Sequence, residues 1–134
     1  MAAKQVHLQW DPVEQFILQD NDGYQIIMKK PMGVSPADLL PMALIGCTSH
    51  DVVEILKKQR QEVQQLKVTA EAVQDEDPPW RFRKIHVLYR AVGRGIELEK
   101  LKKAIEISEE KYCAVYATLK DAVEITHEVE VTEA

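Results

Sequence analysis

From Pro36 to about Gln61 the chain repeats apolar residues at helical spacing, through Leu39, Met42, Ala43, Val52, Val53 and Leu56 and on to Val63. Its lysines and glutamines gather at the far, solvent end. In a chain of 134 residues, the length of one ordinary domain, a helix this long leaves room only for shorter elements around it. Its start carries a signature: Ser35 as N-cap, Pro36 in the first turn, and Asp38 placed to return a capping-box bond. Pro41 removes a backbone donor and crowds the preceding turn, so a short first turn, a kink and then the main helix are expected.

The segments on either side read as strands. Gln5–Trp10, Gln15–Asp20 and Tyr24–Lys30 cluster or alternate apolar residues between turn signals, with Asn21, Asp22 and Gly23 the clearest, and predict an antiparallel meander over about 5–30. After the helix, at about 36–61, two longer strands within about 66–92 flank the acidic, proline-containing turn Asp75–Pro79 and predict a twisted hairpin. Both faces of that hairpin are partly apolar, which a partner chain would cover. Over about 97–131 come a second helix, Glu97–Glu109, with Leu98, Leu101, Ile105 and Ser108 inward, a short helical piece from Cys113 to Leu119, and a closing strand. In that strand Val123, Ile125, His127, Val129 and Val131 alternate with polar residues. The fold class is α+β, in a single domain.

Composition narrows function mainly by exclusion. A formal charge of -5 without a long basic run argues against a nucleic-acid surface, and 46% hydrophobic residues suffice for a core. His7, His50, His86 and His127 are scattered singly, and no C-x-x-C or H-x-x-x-H spacing exists. Gly93 and Gly95 around Arg94 make a turn, not a dinucleotide fingerprint. Met1–Trp10 lacks the apolar stretch of a signal peptide, and the longest apolar run, Leu39–Cys47, contains Pro41 and falls short of a membrane span. A cytoplasmic protein with no membrane partner is the expectation.

There are two cysteines, Cys47 and Cys113, each in a run that reads as amphipathic helix. Two thiols on separate helices can form one reversible disulfide. In a reducing compartment such a pair is either redox chemistry or two inert buried thiols.

Two segments resemble the OsmC/Ohr family, whose members include thiol-dependent organic hydroperoxide reductases. Ser35-Pro36-Ala37-Asp38-Leu39-Leu40, followed six residues later by Cys47-Thr48-Ser49-His50-Asp51-Val52-Val53, resembles that family's central helix with its reactive cysteine. Lys111-Tyr112-Cys113-Ala114-Val115-Tyr116-Ala117-Thr118-Leu119 is similar to the segment carrying its second cysteine. The resemblance spans roughly residue 15 to the end. It implies antiparallel sheets wrapping a long central helix, in an intertwined homodimer with two active sites. It further implies that Cys47 attacks a peroxide and becomes a sulfenic acid, that Cys113 condenses with it, and that an external dithiol or a lipoylated protein reduces the disulfide. No cofactor or metal is required in the protein.

The chain also departs from the hydroperoxide reductases, which activate the cysteine with an arginine delivered ahead of the central helix and paired with an acid at the helix start. Here no arginine precedes Arg60, and Ala37 stands where those enzymes carry glutamate. Asp38 is the candidate acid, although its spacing from Ser35 equally suits a helix cap. Candidate cations are Lys29 or Lys30, His50 at i+3 from Cys47, or Arg81, Arg83, Arg90 or Arg94 from a second subunit. Tyr112, Tyr116 and Trp80 read as pocket lining or as packing, and His86 and His127 as sheet residues. The leading function is thiol-dependent reduction of organic hydroperoxides in an oxidative stress response. Its alternatives are a dimer that binds a small hydrophobic ligand and a redox sensor.

Overall fold

A computed structural model describes residues 1–28 and 32–134. Lys29 and Lys30, two of the candidate cations, lie outside the described residues. The chain forms two compact units, Met1–Leu40 and Pro41–Ala134.

The first unit is the expected antiparallel meander of β1 (His7–Asp11), β2 (Gln15–Gln19) and β3 (Gln25–Met28). Asp20 makes the β2–β3 turn by accepting the backbone N–H of Asp22 and of Tyr24, both at 2.9 Å, and Gly23 supplies the positive φ of 93°. Cross-strand register pairs Leu8 with Leu18, Trp10 with Phe16, Phe16 with Met28 and Leu18 with Ile26. Directly paired residues share a face, so one side of this sheet is apolar throughout. Leu8, Trp10, Phe16 and Ile26 on it are exposed.

A single 3-10 turn, Pro36–Asp38, leads into α1 (Leu39–Lys58). The expected capping box is absent: Ser35 is the N-cap, but no side chain caps the turn, which is closed instead by Asp38 N–H donating to the Ser35 carbonyl at 3.1 Å. At Pro41, where a kink was expected, the helix runs on unbroken as a single element. Pro41 falls in the first turn of α1, where four N–H groups have no intrahelical acceptor, so its missing donor breaks no bond. The short first turn does exist, but the change of helix type comes before the proline. As a result Pro36–Lys58 forms a 23-residue helical stretch with mean hydropathy 1.4 over its apolar window, long and apolar enough by length and composition to cross a membrane, contrary to the shorter run expected. Its Leu44, Thr48, Val52 and Leu56, spaced every fourth residue, are buried in the core of the second unit.

That core rests on β5 (Phe82–Arg94), the middle strand of a second sheet. It pairs antiparallel with β4 (Glu62–Gln74) and parallel with β6 (Glu124–Glu133). The hairpin strands are longer than expected because pairing continues to Glu62 and Arg94. Strict alternation buries Ile85, Val87, Tyr89 and Ala91 on one face of β5. Burying each of the larger aliphatic side chains contributes about 1.5–3 kcal/mol. The other face holds cross-strand polar pairs, Arg90 with Glu130 at 3.2 Å and His86 with Glu128 at 2.8 Å, so it is less apolar than the sequence alternation suggested. Gly93 ends the buried row because a Cβ there would collide with the Glu62 carbonyl oxygen.

The parallel β5–β6 pairing requires a crossover, made by α2 (Leu98–Ile107), a π-helical turn (Ser108–Tyr112) and α3 (Ala114–Leu119). Leu101, Ala104, Ile105 and Ser108 face the core, whereas Leu98, expected inward, is 40% exposed. It is the first residue of α2, at the open end of the helix.

Tyr89 is 1% exposed, and burial pushes its phenol up to about 12. Below pH 10 the phenol is neutral in both folded and unfolded chains. From pH 10 to 12 the unfolded chain ionises first, so stability falls as pH rises, by roughly 2 to 3 kcal/mol over about two pH units. Tyr89→Phe should lower stability by about 1 kcal/mol at pH 7 through loss of its hydrogen bond, yet flatten the alkaline decline in urea unfolding. Parallel alkaline slopes for the two proteins would contradict this placement of Tyr89.

Candidate functional site

Cys47 lies well past the first turn of α1, where the helix dipole has faded, and is half-buried. Cys113 comes from the other side of the crossover and is 2% exposed. The two thiols adjoin: Cys47 is the neighbouring group that, after burial, most raises the Cys113 thiol.

Local structure sets Cys113 in place. It is the N-cap of α3 rather than part of it, with extended backbone, and its Sγ accepts the Tyr116 N–H at 3.3 Å. Its own N–H donates to the Ser108 carbonyl at 2.8 Å, the i to i−5 bond of a π turn. Burial pushes the Cys113 thiol well above the ordinary thiol range, and the neighbouring Cys47 adds to this, while the Tyr116 N–H pulls the other way. Cys113 is therefore held as a neutral thiol at physiological pH.

Around the pair stands a polar shell that sequence reading missed. Asp51, one helical turn beyond Cys47, accepts the Ser108 hydroxyl at 2.8 Å. Thr48, next to Cys47, accepts the Tyr89 hydroxyl at 2.9 Å and donates to the Leu44 carbonyl at 3.1 Å. Glu109, on the π turn, lies 3.0 Å from His127 Nδ1 and also faces the Tyr116 hydroxyl. Asp51 lies inside the motif quoted above, and its i+4 spacing from Cys47 is the signal that marks it as a neighbour.

Asp38 closes its 3-10 turn in the first unit. His50 has a side chain 78% exposed and stands 3.9 Å from Asp51. Arg83 forms a bidentate pair with Asp75, both bonds 2.8 Å, and this holds the Asp75 carboxyl below its ordinary range. Arg90 pairs with Glu130, and Arg81 donates to the Ala122 carbonyl at 3.3 Å. Three of the four arginines considered as donors from a second subunit are thus engaged within their own chain. Trp80 and Tyr112 are exposed, and Tyr116 is half-buried. Among the described residues no group of three or more His, Cys, Asp or Glu side chains is arranged to hold a metal.

The Glu109 bond raises His127 above its ordinary value, against the opposing effect of burial. Its contribution to stability is fully present below about pH 6.5 and is lost as pH rises through the folded value. Imidazole NMR should show His127 titrating above 6.5 and moving down in Glu109→Gln. An unchanged His127 titration in that variant would remove the ion pair from this account.

Known proteins place the chain in context. The sequence profile described as OsmC-like protein matches residues 29–128. Protein YhfA of Escherichia coli K12 is 35% identical over 133 residues, covering 97% of this chain and 99% of YhfA. A crystal structure of a hypothetical protein from Aquifex aeolicus superposes with a TM-score of 0.88 at 32% identity, covering 100% of this chain and 99% of that one. The organic hydroperoxide resistance protein OhrB of Bacillus subtilis shares the fold, with a TM-score of 0.64 at 14% identity over 96% of this chain and 98% of that one. The chain therefore belongs to the OsmC-like protein family and has the α+β OsmC/Ohr fold.

Proposed function

We propose that this protein reduces organic hydroperoxides through Cys47 and Cys113. The observation that carries the reading is the pairing itself: a half-buried thiol on α1 adjoins a fully buried thiol at the N-cap of α3. Difference in access supports the order of events. Cys47 is reachable, whereas Cys113 is shielded from oxidant and held neutral, which suits a thiol that reacts only with its neighbour.

In the first step the Cys47 thiolate attacks the distal peroxide oxygen, the O–O bond breaks, and the alkoxide takes a proton to leave as alcohol. Cys47 is left as sulfenic acid. In the second, Cys113 gives up its proton, its sulfur attacks the Cys47 sulfur, the S–O bond breaks, and water leaves as the disulfide forms. A dithiol, free or on a lipoylated protein, then exchanges with the disulfide and returns both thiols. The cysteines carry all the electrons, so the cycle uses no resident cofactor, and a reducing compartment such as the cytosol would sustain it. Asp38 and His50 remain candidates for activating Cys47 within this proposal.

The unit that acts is a homodimer in this reading. The exposed apolar face of the meander, built from Leu8, Trp10, Phe16 and Ile26, is one that a second copy would bury. The cation that activates Cys47 is assigned to that partner as well, from a residue other than Arg83 and Arg90, which pair within their own chain in each copy.

With dithiothreitol as reductant, the protein should turn over cumene hydroperoxide at least tenfold faster than hydrogen peroxide. Cys47→Ser should abolish the activity. Cys113→Ser should oxidise once at Cys47 and then stall as a sulfenic acid that dimedone traps. Absence of turnover with either peroxide would instead favour a dimer that binds a hydrophobic ligand.

A further inference from the structure

Ser108 and Asp51 stand 57 residues apart in sequence, yet each is one connection away from a cysteine. Asp51 follows Cys47 by one turn of α1, which places both on the same side of that helix. The Ser108 carbonyl accepts the Cys113 N–H at 2.8 Å, and its hydroxyl donates to Asp51 Oδ2 at 2.8 Å. Ser108 is 0% exposed, at a position where helical spacing from Leu101, Ala104 and Ile105 calls for an apolar residue. A buried hydroxyl bonded to a carboxylate contributes little area to the core. Its geometry, by contrast, is held tightly, because a charge-assisted bond strengthens away from water.

We propose that Asp51 and Ser108 form a latch that holds the π turn against α1 and so keeps Cys113 beside Cys47. They are positioning residues for disulfide closure. The proposal rests on the thiol-pair reading of the site and adds what fixes the geometry of that pair. The Asp51 bond fixes direction as well as distance between the turn carrying Ser108 and α1, and its loss removes that directional constraint. Cys113 then samples more orientations, and the effective concentration of one thiol at the other falls.

Closure is measured with an oxidant that bypasses the peroxide step. Diamide takes one hydrogen from each thiol and becomes the hydrazine, leaving a Cys47–Cys113 disulfide. The equilibrium of that disulfide against glutathione gives the effective concentration. Ser108→Ala should lower it roughly tenfold, Ser108→Thr, which keeps the hydroxyl, should stay within about twofold of wild type, and Asp51→Asn, with a neutral acceptor, should fall between. Circular dichroism melting is recorded alongside. If Ser108→Ala does not fold, Asp51→Asn carries the test alone. A merely structural bond would lower the melting temperature of these variants and leave the glutathione equilibrium at its wild-type value, and that result would overturn the latch.

A second arm separates this proposal from the peroxidase reading. With cumene hydroperoxide, Ser108→Ala should oxidise Cys47 at the wild-type rate while accumulating more dimedone-trapped sulfenic acid. If wild type ignores hydroperoxide but the glutathione equilibria shift as stated, the latch stands and the peroxidase reading falls.

Discussion

The bond from the Cys113 N–H to the Ser108 carbonyl spans five residues rather than four, and the site depends on that extra residue. Each residue of an α-helix turns the chain by about 100°, so one more in the turn re-aims everything after it. Had α2 continued as regular helix, the residue at 113 would have pointed elsewhere on the crossover. The π turn stops the helix, gives Cys113 an extended backbone, and lets its sulfur cap α3. Parallel pairing of β5 and β6 makes the crossover necessary, and the row of buried residues on β5 gives it a surface to pack on.

Two different environments meet at this point. The Cys113 side is dry, with the thiol 2% exposed and Tyr89 near it, and burial keeps the thiol protonated. The Cys47 side is partly open. Two polar pairs reach α1, Tyr89 to Thr48 within the core and Ser108 to the partly exposed Asp51. Polar pairs of this kind specify a geometry rather than adding net stability. The first unit presents a different surface, an apolar sheet face with Trp10 and Phe16 ring centroids 6.2 Å apart and both side chains exposed.

Much of the architecture was legible in the pattern of residues. Helical spacing located α1 and α2, turn residues located the meander, and alternation located β5 and β6. The errors came where two local signals met. Counted from Pro36, Pro41 suggests a kink, but α1 itself begins at Leu39, and a proline in the first turn has no bond to break. Ser35 and Asp38 have capping-box spacing, but a 3-10 turn closes through its own backbone and leaves the side chains without that role. The two cysteines stood out by rarity and by their motifs. Asp51, Ser108 and Glu109 did not, since the contacts that distinguish them join α1 to the crossover and the crossover to β6. The local hints were a serine at an apolar position and the i+4 spacing of Asp51 from Cys47, and pattern alone does not say what a buried hydroxyl bonds to.

The central claim is that Cys47 and Cys113 act as one two-electron unit held ready by the fold. The most direct measurement counts free thiols in the reduced protein after addition of a single equivalent of cumene hydroperoxide, with the products mapped by mass spectrometry. The account predicts that both thiols disappear together, as one intramolecular Cys47–Cys113 disulfide. Persistence of two thiols, or a Cys47 sulfinic acid beside an untouched Cys113, would contradict it.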